Sequence, residues 1–155
     1  MNVVALALLL TALIVFVAFH FLIVEYDSDP SAVGKNEMGW EIWPSLFEFL
    51  KEADFSDLRG MIVAASFLCA TLLVVLAPFL LPVLKRSRLA WWVVVIPAGI
   101  ATCGFGGLVA MDLLDPSHSF GPAVPCLLAA FPLNFIGLLF IRREDTPDPA
   151  GQTSS

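Results

Sequence analysis

Charged residues partition this chain more sharply than any other feature. No Asp, Glu, Lys or Arg occurs in 1–24, 60–84, 89–111 or 117–141. Each of these runs is largely apolar and about 20 or more residues long, enough for a helix to cross about 30 Å of hydrocarbon. The runs are continuous rather than alternating, so they read as helices and not as barrel strands. The pattern predicts an all-α integral membrane protein: a four-transmembrane-helix bundle with spans near 3–24, 61–84, 89–111 and 120–141. One domain covers 1–143, with an outer loop at 25–59.

Composition agrees. Of 155 residues, 59 % are apolar and 14 % charged, and the mean hydropathy is +0.88. A soluble domain averages roughly 45–50 % apolar and about 25 % charged. A chain this short leaves too much surface exposed to hide so many apolar side chains from water. Fourteen acids against eight Lys and Arg, with a pI near 4.6, also argue against a nucleic-acid partner. The expected surroundings are a lipid bilayer.

The first run does not read as a cleaved signal peptide. Such a peptide needs a basic n-region, a short apolar core and small residues at the cleavage site. Here Met1-Asn2 carries no side-chain cation, and Phe19, Phe21 and Leu22 stand where small residues belong. Orientation follows from the basic residues. Lys85, Arg86 and Arg88 lie between the second and third spans, and Arg142-Arg143 follow the fourth. The 25–59 segment instead holds nine acids against Lys35, Lys51 and Arg59, and the third connection holds Asp112 and Asp115 without a cation. Both termini are therefore expected on the cytoplasmic side, with 25–59 and 112–119 outside. Few Lys and many acidic loop residues fit a bacterial cytoplasmic membrane. The two halves share a faint pattern of acid-ended and then Pro-containing, base-ended spans, which the positive-inside rule explains without an internal repeat.

The outer loop begins turn-rich and then becomes amphipathic. Ser45 and Glu48 have the spacing of a capping box. Leu46, Phe49, Leu50 and Ala53 follow at i, i+3, i+4 and i+7, a single apolar stripe. Trp40 and Trp43 precede it, as indoles do at a membrane–water boundary. The predicted helix is too acidic to grip anionic lipid. Its apolar face therefore rests on the bundle, docks a partner through Trp40, Trp43, Leu46, Phe49 and Leu50, or covers a ligand. The outline resembles claudin-like four-span proteins in its long first outer loop with tryptophans. Their W-G-L-W motif and following cysteine pair are not matched by Trp40-Glu41-Ile42-Trp43, so the resemblance is one of topology and transfers no residue role.

Chemistry inside the membrane is sparse. Ionisable groups in lipid mark ion and proton paths, and no predicted span contains a carboxylate, Lys or Arg, which disfavours proton-coupled transport. His20 near the outer end of the first span is the one candidate ligand for a haem or pigment metal; His118 lies in the third connection. A hydrogen-bonded interfacial His is the plainer reading, and no cofactor is predicted. Cys69, Cys103 and Cys126 occur singly in three spans, without the pairing a thiol oxidoreductase needs. The third span has two small-residue stripes, Gly99-Cys103-Gly107 and Ala98-Thr102-Gly106-Ala110, a helix-packing device in lipid that predicts a central position. Pro78, Pro82, Pro97, Pro125 and Pro132 predict kinks. Asn134, the one side-chain amide in a span, serves either a freed carbonyl or a ligand pocket. Residues 144–155 read as a disordered inner tail.

Neither a nucleophile–base pair nor a metal-ligand or phosphate-loop spacing emerges. The leading expectation is a non-catalytic protein acting by association, as a subunit among other membrane proteins or with itself. The alternatives are a carrier or channel for a neutral or lipophilic ligand, and a pigment- or haem-binding subunit through His20.

Overall fold

The computed structural model describes residues 3–25, 37–51, 58–113 and 120–141. The expected inner tail, the turn-rich start of the outer loop and His118 lie outside the described residues. The fold is all-α, with five α-helices: α1 (Val3–Phe19), α2 (Ile42–Lys51), α3 (Leu58–Arg86), α4 (Arg88–Leu113) and α5 (Ala123–Leu139). Two short strands, β1 (Ile23–Glu25) and β2 (Glu37–Met38), pair antiparallel. A single 3-10 turn, Gly39–Glu41, leads into α2. Among the described residues two helices, α3 and α4, are long and apolar enough to cross a membrane, while α1 and α5 are apolar but shorter.

The helix limits correct the sequence expectation at both ends. Helix α1 stops at Phe19 rather than near 24. His20, Phe21 and Leu22 donate to the carbonyls of Val17, Ala18 and Phe19, a tight i→i−3 ending, and the chain then turns extended. Helix α5 starts at Ala123 rather than 120, because Phe120 and Gly121 run beside that extended segment, with Gly121 N–H donating to Val24 C=O at 2.7 Å. On the opposite side Gly39 N–H donates to Leu22 C=O at 3.0 Å and Trp40 N–H to His20 C=O at 3.2 Å. Both glycines are needed for this approach: a Cβ on Gly39 would strike the Phe19 carbonyl, and one on Gly121 the Ile23 carbonyl. Residues 22–24 are thus held between two backbones, which satisfies groups that a bilayer would leave without water.

At the other end α3 and α4 run through the basic residues and meet at Ser87 alone. Its N–H closes the last turn of α3 on Val83, and its hydroxyl accepts from Ala90 N–H at 3.2 Å. That is an N-cap for α4. Trp91 then ties this end to α5, its indole N–H donating to Leu138 C=O at 2.9 Å.

Helix α1 packs along α5 and α3 along α4; thinner contacts join α1 to α3 and α4 to α5. Small residues set the closest approach of α1 and α5, where Gly137 sits against Leu8 and Leu9. The core has two layers. Near the basic end Leu9, Leu73, Ala77, Leu84, Val95 and Leu138 interlock. Near the α2 end the filling is aromatic: Phe16, Phe19, Phe67, Phe105 and Phe131, with ring centroids 5.2 to 6.5 Å apart between neighbours.

The expected centrality of the third span is not what the fold displays. Less of α4 than of α3 is enclosed. Its buried line is Val95, Ala98, Ala101 and Phe105, one step round the helix from the Gly99-Cys103-Gly107 stripe. A residue with a large side chain, Phe105, reaches the core where the stripe's small ones would have been expected to lie.

Candidate functional site: the groove under α2

Helix α2 is where sequence and structure meet most usefully. It begins at Ile42, three residues before the predicted start, because Pro44 falls in its first turn, where a missing N–H costs nothing. Ser45 is therefore inside the helix and its hydroxyl donates back to Glu41 C=O at 3.4 Å, so the Ser45–Glu48 capping box does not form. The entry is instead closed by Glu41, whose carboxylate accepts from Met38 N–H at 2.8 Å. No residue of α2 is fully buried. Leu46, Phe49 and Leu50 are half-buried, whereas Trp40, Phe47 and Glu48 are exposed.

One polar tether fixes α2 to α1. The indole N–H of Trp43 donates to His20 Nε2 at 3.0 Å, with the two rings nearly coplanar at 11°. Indole has no acceptor, so Nε2 must be the unprotonated nitrogen. The proton is then on Nδ1, which donates to Phe16 C=O at 2.9 Å. Both imidazole nitrogens are thus engaged, Nε2 with Trp43 of α2 and Nδ1 with Phe16 of α1. A metal at Nε2 would have to displace Trp43.

Beneath α2, beside the tether, lies an apolar groove of about 460 Å³. Ile42, Leu46 and Phe49 of α2 form one wall; Val63, Ala64 and Phe67 of α3 form the other. Phe105 and Leu127 close the floor, and Arg59 and Gly60 in the first turn of α3 mark its mouth. The size falls within the roughly 300–1,000 Å³ usual for small-molecule sites. Of these residues Leu46 and Phe49 belong to the sequence-predicted docking stripe. The α3 wall was not singled out, although Arg59, the last cation before a charge-free run, pointed to it.

The other candidates are separate from this groove. Asn134 is 2 % exposed and its Oδ1 has no hydrogen-bond partner. The gap beside it, lined by Ala70, Val74, Ala98, Thr102 and Phe131, is too small to admit water. Thr71 on α3, overlooked in the sequence, is also buried with an unpartnered Oγ1; a hydroxyl in mid-span was the available signal. On α4, Gly99 faces the Phe135 ring, while Cys103 and Gly107 are exposed and nothing lies within 4 Å of a Cβ on Gly106 or Gly107. Cys69 and Cys126 are half-buried free thiols.

No protein-family model matches this chain, and neither a curated protein nor a solved structure is significantly similar to it.

Proposed function

We propose that this is a four-span integral membrane protein, with both termini cytoplasmic, that acts by association with other membrane-protein subunits or with itself and performs no catalysis. The observation that carries association is the free face of α4. Ile96, Ile100, Cys103, Gly107 and Met111 all point away from the bundle, with Ile100 67 % exposed. Small residues among bulky ones on an outward face let another helix come close in lipid, where packing rather than water exclusion drives contact.

Several features support four spans. Helices α1 and α5, at 17 residues each, reach the lower end of the roughly 17–25 needed, and extended backbone lengthens the first. Their outward side chains include Val4, Ile14, Val17, Ile136 and Leu139, where a water-facing helix would carry polar groups. Tryptophans occur at both ends, Trp40 and Trp43 beside α2 and Trp91 and Trp92 beside the Ser87 turn, as in interfacial belts. Lys85, Arg86 and Arg88 at that turn support a cytoplasmic inner end, in a bacterial cytoplasmic membrane.

The test is the mass and composition of the particle extracted in mild detergent. Association predicts a particle heavier than one chain, reduced to one chain by Gly107→Leu, at a position where an added Cβ meets nothing within 4 Å. A single-chain particle from the native membrane refutes the reading. A second reading, binding of a lipophilic ligand, is favoured by the groove under α2.

A further inference from the structure

We infer that the groove under α2 seats one acyl chain of a zwitterionic phospholipid from the outer leaflet, with the lipid phosphate at Arg59. This rests on the membrane reading above and names the ligand class of the second one.

Size selects the occupant first. A methylene needs about the room of a water in the liquid, ~30 Å³, so 460 Å³ takes about fifteen carbons, one chain rather than two. The lining decides next. Ile42, Leu46, Phe49, Val63, Phe67 and Leu127 offer hydrocarbon and aromatic surface without a polar side chain to orient a sugar, peptide or nucleotide.

Charge then fixes the head. The one cation among the lining residues, Arg59, is exposed at the start of α3. A guanidinium presents five N–H donors in a fork that matches phosphate oxygens, so it can hold a phosphate while keeping its contact within the protein. Nine acids against three cations in 25–59 repel a net-negative lipid. A zwitterionic head supplies the local phosphate without net charge.

The experiment has two stages. Membranes containing the full chain are first washed with alkaline carbonate. Release into the supernatant overturns the membrane reading, and the lipid site with it. The purified, delipidated protein in detergent is then titrated with palmitoyl-oleoyl phosphatidylcholine, or separately with palmitate, and weighed by native mass spectrometry. The expected result is one phosphatidylcholine per chain, bound more tightly than palmitate. Arg59→Gln should weaken it about tenfold or more, as loss of a charge-assisted contact does. Val63→Trp should abolish binding by filling the groove from the rigid wall. Leu46→Trp should do the same from the surface helix without touching the α3 packing. A membrane-embedded protein that binds no phosphatidylcholine, binds it equally in both Trp variants, or prefers palmitate overturns the inference while leaving the four-span reading intact.

Discussion

Replacing Thr71 by Val is expected to stabilise the protein. The side chain is 8 % exposed in the middle of α3, and its Oγ1 has no partner, not even the carbonyl one turn back that a helical threonine commonly finds. Valine keeps the shape and exchanges the hydroxyl for a methyl. An unsatisfied buried polar group costs about 1–3 kcal/mol in water-soluble folds, and polar terms measured between membrane helices average nearer ~0.6 kcal/mol. A gain of about 1 kcal/mol is therefore expected. At about 2.1 cal/mol/K of unfolding entropy per residue, a chain of 155 residues rises about 3 °C in Tm. Thermal unfolding in detergent, followed by tryptophan fluorescence, reads this directly. A loss of 1 kcal/mol or more would mean that the hydroxyl has a partner, and the reasoning would fail. The cycle with Asn134→Leu sharpens the test. Two unpartnered groups should couple by less than about 0.5 kcal/mol, whereas a direct bond between them would exceed it.

Trp43→Phe keeps an aromatic ring but removes the donor to His20, and should cost about 1 kcal/mol; amide exchange in α2 should quicken while α5 stays protected, and uniform protection would contradict the tether. Gly121→Ala places a methyl against the Ile23 carbonyl and should cost about 1–3 kcal/mol, visible as a lower Tm; an unchanged Tm would show that the extended segment yields freely. Ser87→Ala removes the cap of α4 and should cost about 1 kcal/mol, with Ser87→Asp recovering most of it; equal stability of the Ala and Asp variants would argue against capping.

Much of the fold was legible because the charged residues stand between the apolar runs rather than in them. The uncharged runs located every long helix, and the amphipathic stripe of Leu46, Phe49 and Leu50 located α2. What escaped depends on backbone pairing between distant residues. That Gly39 and Gly121 grip the same stretch after α1 leaves no periodic trace, so α1 was expected to continue to 24. On α4, Ala98 lies in the core and Gly99 against Phe135, whereas Cys103 and Gly107 face outward: a stripe of small residues permits close packing, but it does not say whether the neighbour belongs to the same chain. Asn134 stood out as the one amide in an apolar run, while its burial and the lack of a partner at Oδ1 depend on how α3 and α4 pack beside it. The groove arose from α2 and α3 together, and only its α2 wall had a sequence signature.

The pairing of α1 with α5 also orders the assembly of the molecule. A chain made from its N-terminus delivers α1 first and α5 last. The hairpin of α3 and α4, joined through Ser87 alone, needs only neighbouring sequence and closes a minimal loop. Helix α1 must wait, its Gly137 contact more than a hundred residues away and the Val24 carbonyl without its Gly121 donor until α5 has been made. Such long-separation contacts are the slow ones in folding. Until then α1 lacks the helix it packs along, and the extended segment after it lacks one of its two backbone neighbours.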